Sequence, residues 1–493
     1  MSNSQQKDFR QIFKATSLFG GVQVFQIIIT ILRGKAVAFL LGPAGMGING
    51  LLNSSIQFIQ SLSSLGLPQS AIKDIAASSN DVGKQIKTYS VFRKLIIITA
   101  FLGFLIAFLG ASWISQYTFD NQDYTWAYRF IAFTFLFSAI TGGVYTALRG
   151  KRELKKLASA NILGAVLGLI LAVPMYYFYG IEGIVPALLL VAFGTFLIAM
   201  YYKHRYLNLE IIPISYRSAL KEGLPMIKLG LSMSATTLLA SGVAFLTLAF
   251  ISNYGELNDV GLYSAAQTIT ASYVGMIFTA MSTDYFPRLS ESFNKPGTEW
   301  HQVVNQQTKV VLLLLVPLAF LLISTAPYLI RLLLSPEFLD STNYIAAALL
   351  GVLLKAPVWS MGYVIIASGK ARLFLVLEVV AILMQLSLTL FGYYNYGLLG
   401  MGFGFSASYL ISLVIQTSVL IWFFKFKFEK EILLNIMFSA ILLSIGVYLF
   451  LFLEYRSALW YLIPVTLFLS SFSLWRMNQL IGLSQFISSF LKN

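Results

Sequence analysis

The chain has no cysteine and only two histidines, His204 and His301. Disulfides and thiolate metal sites are therefore excluded, and two imidazoles so far apart in sequence give no reason to expect a metal site. Charge is scarce as well. Asp, Glu, Lys and Arg make up 11% of the residues, against about 25% in an ordinary soluble domain, too little to cover a water-facing surface. Acids are scarcer than bases, 20 against 34, for a net charge of +14. There is no G-x-x-x-x-G-K-[ST] phosphate loop, so ATP hydrolysis within the chain is not expected. The connections between apolar runs are too short to hold a polymerase or ligase site. The runs carry no Asp pair or Ser/His set for proteolysis in the membrane. No enzyme, cofactor or metal is expected.

What is abundant is apolar sequence, 57% of the residues, with a mean hydropathy of +0.76. Runs of about 20 apolar residues, each enough to cross a bilayer, recur from end to end. They divide into about fourteen spans, from Thr16–Leu41 and Met46–Leu65 at one end to Ile432–Phe452 and Ala458–Leu474 at the other. The first run, at about 26 residues, exceeds the roughly 7–15 of a signal-peptide core and is expected to remain in the protein. The fold class expected is an all-α, multi-pass membrane protein.

The connections alternate in charge. One set carries Lys73, Lys84, Lys87 and Arg93, then Arg149, Lys151 and Arg152, then Lys203 and Arg205, and later Lys370 and Arg372. The other carries Asp120, Asp123, Glu182, Glu256, Asp259, Glu337 and Asp340. Basic connections collect on the cytoplasmic side. The positive charge thus reads as a topology signal rather than a nucleic-acid surface, and both termini are expected in the cytoplasm.

The chain also repeats itself. "YGIEGI" from Tyr179 returns as "YGLLGM" from Tyr396, displaced by 217 residues, and "RGKREL" from Arg149 returns as "SGKARL" from Ser368, displaced by 219. "GMGINGLLNS" from Gly45 has a weaker counterpart in "DVGLYSAAQT" from Asp259, displaced by 214. Three matches in one order at nearly one displacement imply a duplicated six-span unit, as in transporters whose halves are related by an axis along the membrane normal. The expected organisation is an N-terminal lobe over 1–202, a cytoplasmic linker over 203–223, a second lobe over 224–424, and two additional spans with a cytoplasmic tail over 425–493. Two such lobes would face each other across a central cleft and work by alternating access.

Five ionisable residues fall inside the spans: Arg33, Lys35, Lys228, Lys355 and Glu378. A charge near the bilayer centre costs roughly 2.5–3.5 kcal/mol on insertion scales and ordinarily faces a cavity or a partner. Lys355 lies eleven residues from each end of its span, Tyr344–Ile366, about 16 Å from either surface, too far for snorkelling alone. It is either a structural partner of Glu378 on the next span or a ligand-binding cation. Arg33 and Lys35 stand about 200° apart on a helix, so one of them can be a snorkelling or interhelical residue. Lys228 lies close enough to its span's end to snorkel. Glu378 can neutralise a neighbouring cation or carry a coupling proton. None of the cations recurs at the repeat displacement, which argues for function over architecture. Four cations against one acid suit an anionic ligand such as a phosphate or pyrophosphate.

"RGKAVAFLLGPAGMG" (Arg33 to Gly47), "TDYFPRLSE" (Thr283 to Glu291) and "ASGKARLF" (Ala367 to Phe374) resemble the Wzx flippases of the multidrug/oligosaccharidyl-lipid/polysaccharide (MOP) exporter superfamily, near the O-antigen and enterobacterial-common-antigen translocases. The resemblance spans essentially the whole chain. It implies a multi-pass protein of the bacterial inner membrane that moves undecaprenyl-pyrophosphate-linked glycan from the inner to the outer leaflet, with membrane lipids around it and a proton or sodium ion as a coupling partner. The cationic cavity of that family matches Arg33, Lys35 and Lys355 in type. A lipid II flippase of peptidoglycan synthesis is the alternative of the same architecture. A drug/cation antiporter is another, and it should show an acidic cavity.

Overall fold

The computed structural model describes residues 3–78, 81–207, 211–293 and 299–481, with side chains from Phe25 onward except at a few positions between 272 and 283 and at 480–481. The side chains of Lys7, Arg10, Lys14 and Gln23, and the whole of Lys295, lie outside the described residues.

The described residues are helical almost throughout. In chain order the helices are α1 (Asn3–Ser63), α2 (Leu67–Ala77), α3 (Val82–Leu109), α4 (Ala111–Phe119), α5 (Thr125–Gly150), α6 (Leu154–Tyr179), α7 (Ile184–Tyr206) and α8 (Tyr216–Tyr254). They continue as α9 (Leu257–Gln267), α10 (Val274–Phe293), α11 (Glu299–Leu333), α12 (Ser341–Ala367), α13 (Ala371–Phe424), α14 (Lys430–Phe452) and α15 (Tyr455–Ile481). Ten stretches are long and apolar enough to cross a membrane. Three of these are double. α1 breaks at Gly42 (φ 65°), followed by Pro43; α6 and α7 form one stretch interrupted at Gly180; α13 breaks at Tyr396 and Gly397. The path through α9, a π-helical segment at Thr268–Tyr273, and α10 supplies the remaining crossing, so the helices account for the fourteen spans read from hydropathy.

The breaks carry the duplication into three dimensions. Gly180 has φ 56° and ψ −132°; Gly397, displaced by 217 residues, has φ 59° and ψ −147°. This is a backbone region essentially reserved for glycine. Beyond each break the same close approach follows. A Cβ on Gly183 would lie 2.2 Å from the carbonyl oxygen of Met175, and one on Gly400 would lie 2.2 Å from that of Gly392. All these pairs differ by 217. The second sequence match is not repeated as geometry: its left-handed residue is Arg152 in the first copy and Gly369 in the second.

The chain forms two compact units, Met1–Gly261 and Leu262–Asn493. In the first, α2 is a short helix absent from the hydropathy reading. Its Leu67, Ala71 and Ile75 are fully buried, in one core with Phe92 and Leu95 of α3 and Ala147 and Leu148 of α5. Such an amphipathic turn buries three side chains without a run of apolar residues, so a hydropathy window passes over it. α8, which the sequence reading placed in the second lobe, packs here on α1, α2 and α3, and a Cβ on Gly66 would lie 2.0 Å from the carbonyl oxygen of Gly230. Small residues at such contacts let backbones approach, which is what drives helix association in lipid.

In the second unit, Tyr285 and Leu289 of α10, Trp300 and Val304 of α11, Met361 and Val364 of α12, and Leu420 of α13 share a core. Polar ties run through it: the Tyr285 hydroxyl donates to the Ser360 carbonyl at 2.8 Å, and Thr308 Oγ1 lies 2.7 Å from Ser360 Oγ. α14 and α15 close the unit against α11. Tyr455 donates to the Ser324 carbonyl at 2.8 Å and Lys309 pairs with Glu431 at 2.6 Å. Between these three helices lies an apolar groove of about 440 Å³ whose wall includes Leu442.

Candidate functional site

Lys355 owes its surroundings to a seam just before it in α12. A Cβ on Gly402 would sit 2.7 Å from Ala347 Cβ, and one on Gly351 would sit 2.6 Å from the Phe405 ring, so α12 and the second half of α13 are in close contact there. Ser406 enters the α12 ladder itself. The Gly351 N–H donates to Ser406 Oγ at 2.7 Å, and that hydroxyl donates to the Ala347 carbonyl at 2.6 Å. The hydroxyl thereby bridges the groups that an uninterrupted helix would pair directly, an insertion of the kind that bends helices. One turn further on, where Pro357 removes another ladder donor, the helices diverge around a cavity of about 340 Å³.

Lys355, Trp359 and Tyr363 occupy one face of α12 at i, i+4 and i+8 and line this cavity. Glu378 and Gln385 face it from the first half of α13, and Tyr409 and Gln416 from the second. Lys355 is half-buried. Its Nζ lies 5.3 Å from the centroid of the Phe278 ring and 5.8 Å from that of Tyr409, within the range of cation–π attraction. Trp359 packs against Phe278 at 5.4 Å and Tyr363 at 5.3 Å between ring centroids. Glu378 is within electrostatic reach of Lys355, and among the described residues the two make no contact ion pair. The Gln416 Oε1 atom is buried with no hydrogen-bond partner, and a side chain added at Gly362, also in the lining, would meet nothing within 4 Å.

The other candidates belong to the first unit. Arg33 is half-buried on α1 and Lys35 is exposed. Gly34 between them has nothing within 4 Å of a Cβ position, so the helix surface is open at this level. Lys228 is exposed on α8. The structure thus brings Lys355 and Glu378 into one cavity and leaves Arg33, Lys35 and Lys228 on separate positions of the first unit. The aromatic and amide residues around Lys355 were missed in the sequence reading. The i, i+4, i+8 spacing of Lys355, Trp359 and Tyr363 was the signal available there.

About fourteen crossings, a duplicated helical unit and a polar cavity enclosed by membrane helices define a polytopic membrane protein of transporter architecture. Solved structures share its fold. The lipid II flippase MurJ in an inward closed conformation superposes with a TM-score of 0.71 at 14% identity, over 94% of this chain and 99% of that one. An inward-facing multidrug resistance MATE family transporter of the MOP superfamily gives 0.65 at 17% identity, over 80% and 94%. The chain belongs to the polysaccharide biosynthesis protein family, whose profile matches residues 36–343. Among curated relatives, the lipid III flippase of Escherichia coli (strain K12) is 24% identical over 356 residues, 71% of this chain and 83% of the relative.

Proposed function

We propose that the protein is a flippase that carries undecaprenyl-pyrophosphate-linked oligosaccharide units from the inner to the outer leaflet of the bacterial plasma membrane by alternating access. Family membership and the lipid III flippase among its relatives support the substrate class. The observation that carries the mechanism is Lys355, a cation in mid-span at the wall of a polar cavity. A pyrophosphate and its sugars cannot cross about 30 Å of hydrocarbon unaided. A cavity supplies water and fixed cations to the head group while the polyprenyl tail stays in lipid. Arg33, Lys35 and Lys228 join Lys355 along the path of the anion, and Glu378 balances charge or carries a coupling proton. The lobes are 1–202 and 224–424, with the cleft between them and the last two spans outside it. No bond is made or broken in this work, so no catalytic group is required. A cation antiporter would want acids where this cavity holds a lysine.

Reconstituted into proteoliposomes with undecaprenyl-pyrophosphate-linked oligosaccharide, the protein should raise the fraction of glycan that external lectin captures with time. A lectin-accessible fraction that does not change with protein added would sink the flippase reading. Orientation is tested separately on a chain free of cysteine. A cysteine placed at Glu337 should label with an impermeant maleimide from outside intact cells, and one at Lys370 only after permeabilisation; the reverse pattern would invert the proposed topology.

A further inference from the structure

The cavity around Lys355 is chemically mixed. Lys355 and Glu378 carry opposite charges, Gln385 and Gln416 bring two carboxamides, and Trp359, Tyr363 and Tyr409 bring aromatic surface. A site for phosphate alone would gather donors and cations and keep carboxylates away, since a nearby acid repels the ligand. A site for an organic cation would not place a lysine at its centre. What this set matches is a ligand without net charge, with an apolar face and a rim of hydroxyls. A pyranose ring has that form: its C–H face packs on an aromatic side chain, and its hydroxyls both donate and accept. Carboxamides answer with both functions, a carboxylate accepts, and an ammonium donates. Bonds to the charged groups are the stronger kind.

We propose that this cavity is a sugar-binding subsite that recognises a pyranose of the transported glycan, with Trp359, Tyr363 and Tyr409 as its stacking surface and Glu378, Gln385 and Gln416 as its hydroxyl readers. The inference rests on the flippase reading above and adds to it which part of the head group this cavity takes. Three further observations support it. About 340 Å³ falls within the roughly 300–1,000 Å³ of small-molecule sites. The Gln416 carbonyl oxygen has no partner within the protein, and rotation of its terminal torsion turns an unsatisfied acceptor toward a hydroxyl donor in the cavity. Gly362 leaves open space in the lining where any other residue would project a side chain. Lys355 is the one group shared between the sugar and the phosphate to which it is attached.

The test compares two ligands on the full-length protein in nanodiscs: undecaprenyl pyrophosphate, and the same lipid bearing one N-acetylglucosamine. Wild type should bind the glycosylated lipid at least tenfold more tightly. Gly362→Leu, which fills the cavity, should bring that ratio to about one, and Gln416→Leu and Gln385→Ala should each lower it severalfold. Monodisperse elution and a thermal transition near that of wild type are required of each variant. If Gly362→Leu does not meet that standard, the two glutamine variants decide. Equal binding of both lipids by wild type, or a preference that survives in the folded variants, overturns the sugar subsite and leaves the flippase reading standing. Binding of neither lipid overturns the flippase reading itself, and the subsite with it.

Discussion

Lys355→Ala should abolish transport while leaving the protein in the membrane at its normal level. The ammonium is half-buried over the rings of Phe278 and Tyr409, and a charge-assisted hydrogen bond to a phosphate oxygen contributes about 1.5–3 kcal/mol. Its loss therefore corresponds to about ten- to more than a hundredfold in apparent affinity for the head group. Insertion should not suffer, because a mid-span lysine is itself unfavourable by about 2.5–3.5 kcal/mol. Lys355→Arg keeps the charge and changes its shape, and should retain part of the activity. The informative variant is the double one, Lys355→Ala with Glu378→Gln. If Lys355 serves only to neutralise Glu378, removing both charges rescues the single mutant, since no lone charge remains in the membrane. If it meets the substrate, the double mutant stays inactive. Surface glycan in a strain lacking its own flippase, with membrane levels measured alongside, separates the two; full activity of the double mutant removes Lys355 from the transport path.

Gly261→Leu should be the most damaging substitution to the fold. The second half of α1 and the start of α9 cross reciprocally. A Cβ on Gly261 would lie 1.9 Å from the Pro43 carbonyl oxygen, and one on Gly47 would lie 2.2 Å from that of Leu257. Pro43 and Leu257, like Gly47 and Gly261, differ by 214 residues, the displacement of the third sequence match. Overpacking a core ordinarily costs about 1–3 kcal/mol because neighbouring side chains give way; here the obstacle is backbone on both sides. The expected result is at least a tenfold fall in folded protein in the membrane, with Gly261→Ala intermediate. Gly142→Ala is the control, because nothing lies within 4 Å of the Cβ that it adds. Wild-type levels and an unchanged thermal transition for Gly261→Leu would show that the crossing is dispensable.

The sequence by itself determined the class of the protein, its spans and its duplication. In hydrocarbon every backbone polar group must be satisfied within its own segment, so an apolar run of sufficient length becomes a helix whatever its neighbours do. The breaks at Gly42, Gly180 and Gly397 were legible for a related reason, because their conformations suit glycine almost alone. The five intramembrane charges stood out because each is unfavourable where it lies.

The surroundings of those charges were decided only in three dimensions. That Lys355 rests between Phe278 and Tyr409 depends on how closely Gly351 and Gly402 let α12 and α13 approach, and on where Ser406 interrupts the α12 ladder. Likewise α2 is held by burial of Leu67, Ala71 and Ile75 against helices distant in sequence, which no local window contains. Span and break follow from local backbone energetics. Cavity and partner follow from packing between segments far apart in the chain, and that information exists only once the helices have assembled.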